Sequence, residues 1–332
     1  MSDQPGKGAK IRVAVVGVGD FGRNHVRVYR ELDDAELVGI VDTNPERARH
    51  VAAEFSTAVL TDLDALAGRV DAASVAVPTV EHAQVGCRLL ERGIDVLVEK
   101  PMAATLAEAD ELIAAARKNG RILQVGHLER FNPAVMAVEK VISRPLFFEV
   151  HRLGVFSPRS LDIDVVYDVM IHDLDILLAL VGAPVVELKA VGIPVLSDKV
   201  DIAHARIEFE TGAVANITAS RISTERVRKM RFFQQHEYIS LDYTRQDVLR
   251  VRVRQSGPEP QFDFEKLPTQ PEEPLRAELR VFLSAVRTRE TPRVDGDAGR
   301  RALELADRVM AGILEHARRV QLGALAIPQA SG

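Results

Sequence analysis

The sequence predicts an α/β protein in two parts, a doubly wound parallel sheet followed by an α+β domain with a large open, mostly antiparallel sheet. Three observations carry this. Over the first 125 residues, short apolar runs alternate with segments whose apolar positions recur at three and four. After about residue 126, strand-like runs follow one another through short turns such as Glu210-Thr211-Gly212. A G-x-G-x-x-G stands between the first run and the first helical segment. The length of 332 residues suits two domains, and 46% apolar with 27% charged side chains excludes disordered and fibrous classes.

The elements follow in order. Ile11 to Val16, Glu36 to Val41, Ala72 to Val77 and Ile94 to Val98 are continuous apolar runs, as parallel strands covered on both faces require. Helical segments lie near 22–32, 45–55 and 81–92. Thr105 to Lys118 is the best delimited helix: Thr105 and Glu108 make a capping box, Leu106, Leu112, Ile113 and Ala116 form a stripe, and Asn119-Gly120 ends it. Ile122 to Gly126 closes the sheet, giving domains of 1–126, a nucleotide-binding domain, and 127–332, an α+β domain. The second domain is expected to hold helices over 132–143 and 165–181. Its strands are Phe147 to Leu153, Val185 to Val191, Ile202 to Phe209, Val214 to Ser220, Lys229 to Gln235, Tyr238 to Tyr243 and Val248 to Val253. A Pro/Glu-rich loop, Pro258 to Pro260 and Pro268 to Pro274, precedes helices over Pro274 to Arg289 and Asp297 to Arg319.

Composition bounds the partners. A formal charge of −5 gives no overall reason to approach nucleic acid or an anionic membrane. Met1 to Lys10 lacks a signal peptide's apolar run, and the longest uncharged apolar stretch, Ile176 to Val186, is far short of the ~18 residues of a membrane span. The single cysteine, Cys87, cannot form an internal disulfide, which suits a reducing cytoplasm.

Chemistry gathers at three places. In Gly17-Val18-Gly19-Asp20-Phe21-Gly22, Gly17 permits a tight turn, Gly19 lets backbone approach a pyrophosphate, and Gly22 allows close helix packing; Asp20 and Phe21 belong to the same loop. Asp42, 20 residues beyond Gly22, would accept from ribose hydroxyls, and neither Thr43 nor Asn44 supplies a cation for a 2′-phosphate, so NAD is favoured over NADP. Lys100, in Glu99-Lys100-Pro101, follows a strand at its carboxyl end, where open α/β sheets bind ligands; a solvated Glu–Lys pair is the alternative. On a helix, Asp168, His172 and Asp175 fall on one face, with an imidazole between carboxylates. That suits a proton acceptor near neutral pH, although a structural histidine remains open, and no third ligand makes a metal site.

With Pro78-Thr79 and His82, Arg130-Phe131-Asn132-Pro133, and Asp295-Gly296 before the last helix, these motifs resemble the glucose–fructose oxidoreductase/inositol dehydrogenase (Gfo/Idh/MocA) family. The resemblance implies a Rossmann domain binding NAD, substrate binding and oligomerisation by the domain 127–332, and an activity as a sugar or polyol dehydrogenase or reductase. It places Lys100, Asp168 and His172 on catalytic positions and Pro78, Thr79, His82, Glu99 and Lys100 on cofactor-loop positions. Val77, where threonine is usual, and Val169-Met170-Ile171, in place of a glycine-bearing helix start, are departures.

A narrower likeness lies in Val125 to Pro133, His151-Arg152-Leu153-Gly154 and Ser157-Pro158-Arg159, which look like the branch that oxidises UDP-N-acetylglucosamine at C3. That branch feeds an aminotransferase in lipid A or surface-sugar synthesis. It implies substrate contacts from Arg130, Asn132, His151, Arg152 and Arg159, arginines being suited to a diphosphate. The basic segment Arg221 to Arg231 is a further candidate for the diphosphate, but it reads more readily as a solvated sheet face. Rival expectations are another sugar or polyol enzyme and a non-catalytic NAD-sensing protein, which would have no need of Lys100 and His172. An open sheet with one uncovered face implies a homo-oligomer, dimer or tetramer.

Overall fold

The computed structural model describes residues 9–156, 162–255 and 259–321. Strands β1 (Ile11–Val16), β2 (Ala35–Val41), β3 (Ala72–Val75), β4 (Asp95–Glu99) and β5 (Leu123–Gly126) form a parallel sheet in the order β2-β1-β3-β4-β5. Val59 adds a parallel bridge to Ile40 at the β2 edge. With that bridge counted as a strand, the order is 3-2-1-4-5-6, and the sheet changes direction of growth beside β1, where such folds bind nucleotides. Helices α1 (Asp20–Glu31), α2 (Pro45–Phe55), α3 (His82–Glu91) and α4 (Leu106–Asn119) connect the strands. The capping box of α4 is present in both directions: Thr105 Oγ1 accepts from the Glu108 amide at 3.2 Å and Glu108 Oε2 from the Thr105 amide at 3.1 Å.

The second unit begins with α5 (Pro133–Val138), which covers half of the expected 132–143 helix. Strands β6 (Pro145–Val155), β7 (Val185–Ile193), β8 (Ile202–Phe209), β9 (Val214–Ser223), β10 (Val227–Gln234), β11 (Glu237–Asp242), β12 (Asp247–Gln255) and β13 (Pro260–Lys266) form one sheet in the order β13-β12-β11-β10-β6-β9-β8-β7. Every pairing is antiparallel except β6 with β9. Period-two alternation sorts the side chains: Phe148, Val150, Ile207, Ile217, Phe232 and Ile239 face the core with Leu174 and Leu177 of helix α6 (Ile171–Val181). The Phe148 and Phe232 rings lie 5.4 Å apart; burial of each such side chain is worth ~1.5–3 kcal/mol. On the opposite face Phe147 and Phe233 stack at 5.8 Å, and Phe233 meets Tyr238 at 5.2 Å. Strand β13 falls inside the expected Pro/Glu-rich loop; its period-two pair, Phe262 and Phe264, is exposed at the sheet edge.

The last helices are α7 (Pro274–Thr288) and α8 (Gly296–Arg319). Leu275, Leu279, Phe282 and Leu283 of α7 are buried in the core that holds Val26 and Tyr29 of α1. The first unit therefore runs to Phe131 and regains Glu273–Arg300, while the second holds Asn132–Glu272 and continues from Arg301. This moves the expected boundary of 126/127. The physical reason is the apolar stripe of α7, which needs the first unit's apolar surface although the whole second sheet intervenes in the chain.

Candidate active site

The glycine loop is shaped by its own sterics. Gly17 adopts φ +82°, and its N–H donates to the Val41 carbonyl at 2.8 Å. A Cβ on Gly22 would stand 1.8 Å from the Gly17 carbonyl oxygen, so only glycine lets α1 start this close to β1. A Cβ on Gly19 would meet no atom within 4 Å, which leaves backbone open to a ligand at the start of α1. Asp20 and Phe21 follow, both exposed. Gly17, Gly19, Asp42, Val77 and Pro78 line one cavity of about 520 Å³ that also takes in Arg47 and Arg88. An open glycine, a packed glycine and a carboxylate at the end of β2 fit a dinucleotide.

Asp42 is held by its surroundings. Oδ2 accepts from the Val18 amide at 2.8 Å and Oδ1 from the Asn44 amide at 2.7 Å. The expectation that no cation neighbours Asp42 is corrected by Arg47, whose Nε and Nη2 fork the carboxylate at 3.0 and 2.7 Å. The cause is local: Asn44 Oδ1 caps the Glu46 and Arg47 amides, Pro45 starts α2, and the first helical turn brings Arg47 back over Asp42. Burial works against the ionised carboxyl, but the Arg47 fork and the two amides outweigh it and hold its pKa below the ordinary range.

Glu99 ends β4 as a buried carboxylate, with Oε1 2.9 Å from His25 Nε2 and Oε2 accepting from the Lys100 amide at 3.2 Å. Burial raises its pKa, yet the His25 bond and the Lys100 charge leave it lowered overall. Lys100 itself is half-buried at the strand's carboxyl end, as expected. Pro78 and Thr79 open a short 3₁₀ turn. Buried His82 braces this region: Nε2 lies 2.9 Å from the Val77 carbonyl and Nδ1 2.9 Å from that of Pro101. Burial lowers its pKa, and a neutral ring can donate to only one of the two carbonyls. Its side chain thus positions the loops on either side of it. On α7, Glu278 is fully buried with both carboxyl oxygens unpartnered among the described residues, and burial, then the Glu99 charge, raises its pKa well above normal.

In the second unit Asp168 lies in a π-helical turn, Val166–Met170, and His172 in the first turn of α6; both are half-buried. The expected single helix over 165–181 is thus widened at its start, a deviation found at functional sites. Neighbouring Asp173 is fully buried and accepts from Arg152 Nε at 2.7 Å and Nη2 at 2.8 Å. The Arg152 guanidinium also lies 4.6 Å from the Tyr243 ring centre. Arg152 was expected to present an open fork to a substrate; it is buried and instead fixes the residue beside His172.

His151 alternates to the sheet's other face, where it shares a cross-strand row with Thr218 and His204, so His151 and Arg152 point to opposite faces of the sheet. Asn132 is a buried helix cap, accepting from the Ala134 amide at 3.0 Å and donating to the Tyr243 carbonyl at 3.0 Å. Arg130 is half-buried in the 3₁₀ turn Leu128–Phe131 of the first unit, where its carbonyl accepts from Arg293 at 3.1 Å. Arg159, with residues 157 and 158, lies outside the described residues. Of the basic segment, Arg221 is buried and donates to the Ile163 carbonyl, whereas exposed Arg228 sits opposite Arg152 in the β10–β6 register.

Residues 11–127 match the oxidoreductase family with an NAD-binding Rossmann fold, and residues 147–237 match the GFO/IDH/MocA C-terminal domain. The chain belongs to the Gfo/Idh/MocA oxidoreductase family. The chain is accordingly that of an oxidoreductase with an NAD-binding Rossmann fold, and its fold class is the expected one. It is 38% identical to the UDP-N-acetylglucosamine 3-dehydrogenase of Acidithiobacillus ferrooxidans over 91% of this chain and 97% of that one. A solved structure of that enzyme superposes with a TM-score of 0.86, at 37% identity, covering 92% of this chain and 98% of the other. The myo-inositol 2-dehydrogenase of Thermotoga maritima is 26% identical over 89% of this chain and 94% of its own.

Proposed function

We propose that this enzyme oxidises the C3 hydroxyl of UDP-N-acetylglucosamine to the 3-keto sugar. The observation that carries the reading is the end-to-end identity of 38% with an enzyme of that activity, against 26% for an inositol dehydrogenase matched over a similar span. The chemistry that NAD would supply, when bound, is that of a hydride acceptor for the carbinol carbon. The glycine loop with Asp20 and Phe21 and Asp42 holds the nucleotide, while Pro78, Thr79 and Glu99 hold the nicotinamide end and His82 positions them. Lys100 polarises the hydroxyl oxygen, His172 accepts its proton, and Asp168 orients and charge-balances the imidazole. Arg130, Arg159 and exposed Arg228 supply cations for the diphosphate in a chain whose net charge is −5.

In the same reading the enzyme works in the cytoplasm, and an aminotransferase consumes its product on the way to lipid A or a surface polysaccharide. Copies associate through the outer face of the eight-stranded sheet. No helix among the described residues is long and apolar enough to cross a membrane.

Oxidation of a sugar hydroxyl by NAD is uphill near neutral pH, so the test couples the enzyme to an aminotransferase and an amino donor. Mass spectrometry should then show a UDP-sugar bearing an amine at C3. Reduction of NAD by inositols or free sugars alone, with UDP-sugars neither reacting nor competing, would overturn the proposal in favour of a polyol dehydrogenase.

A further inference from the structure

The Asp42–Arg47 fork has a use beyond closing the end of β2. Asp42 is nearly inaccessible, whereas the Arg47 side chain is 46% exposed and lines the same cavity as Gly17 and Gly19. The guanidinium therefore stands at the mouth of the nucleotide cavity with its charge neutralised by the very carboxylate that would accept from a ribose. Its position does not depend on Asp42 alone, because Pro45 and the Asn44 cap fix the first turn of α2. A phosphomonoester at the ribose 2′ position carries ~1.5–2 negative charges and three acceptor oxygens, the group a guanidinium fork binds best.

We infer that Arg47 is a specificity-determining residue: it is a 2′-phosphate subsite that Asp42 keeps closed. The Asp42 carboxylate repels the phosphate and also occupies the Arg47 fork that would hold it. With Asp42 in place NAD binds and NADP is excluded; with its charge removed, the same Arg47 receives the 2′-phosphate. The inference concerns the cofactor alone and is independent of the sugar oxidised.

Equilibrium titration of NAD and NADP, read by calorimetry without turnover, tests this. Asp42→Ser should tighten NADP binding by at least about tenfold, which is ~1.4 kcal/mol. Adding Arg47→Gln should erase that gain, whereas adding Arg88→Gln, which removes the cavity's other arginine, should leave most of it. In the otherwise unchanged protein, Arg47→Gln should widen the preference for NAD. If Asp42→Ser fails to bind NAD or melts early, Asp42→Asn takes its place, since its amide oxygen still accepts from a backbone N–H. The inference is overturned if NADP binds the Asp42→Ser/Arg47→Gln protein as tightly as Asp42→Ser. It is equally overturned if neither Asp42 variant gains NADP affinity while still binding NAD.

Discussion

At the scale of the residue, the proposed chemistry separates into groups that act on substrate and groups that hold them. Lys100→Met removes a charge and a proton-bearing nitrogen but keeps the stem, so NAD affinity should survive while turnover falls by the ~10²–10⁴-fold typical of general acid–base groups. His172→Ala should do the same. Cofactor titration beside saturation kinetics measures both, and near-normal kcat in either variant would remove that residue from the chemistry. Glu278 makes a prediction about stability. Its folded pKa is raised by burial and then by Glu99, so the folded state favours the proton. Stability from this group is complete below the unfolded carboxyl pKa and is lost as pH rises toward the folded value. Glu278→Gln should therefore flatten the alkaline side of the melting curve against pH. An unsatisfied buried polar group costs ~1–3 kcal/mol, and ~1 kcal/mol corresponds to ~2–4 °C in a unit of 150–250 residues. Equal pH slopes for the two proteins would show that Glu278 titrates normally.

At the scale of the element, helix α6 carries His172, and its rotation is fixed one residue later by the Arg152–Asp173 fork. Removing one partner of a buried ion pair leaves the other uncompensated, at a cost of ~3–5 kcal/mol. Arg152→Ala should accordingly lower the melting temperature and kcat together. Thermal melts beside steady-state kinetics decide it: a raised KM with an unchanged melt would return Arg152 to the substrate. This pair also marks how far the sequence can be read. The apolar runs of β1 to β5, the capping box of α4 and the glycine loop are local signals, and all appear in the structure. Asp42 was legible for the same reason. Arg47 was not, because a partner five residues on is reached only through the particular turn that Asn44 and Pro45 impose. Arg152 read as an open fork because its carboxylate, 21 residues away, sits on another element. The π-helical turn at Asp168 leaves no compositional trace, and β13 was hidden by the prolines around its Phe262 and Phe264.

At the scale of the whole molecule, the outer face of the eight-stranded sheet carries the Phe147–Phe233–Tyr238 run of rings. Such a face suits an isologous contact, in which the same patch serves both copies. Phe233→Glu should shift the proposed assembly toward smaller species in sedimentation velocity while leaving the melt of the sheet nearly unchanged, because the Phe233 side chain does not enter the core. An unaltered sedimentation coefficient would place the contact elsewhere. The return of α7 to the first unit has a consequence for synthesis. Residues 132–272 emerge between Phe131 and the segment that completes the first core. At ~5–20 residues per second the ribosome needs roughly 7–30 s to deliver them. Throughout that interval the nascent nucleotide fold lacks the cover that Leu279 and Phe282 provide, so its apolar flank is open to chaperones and to aggregation until the helix arrives.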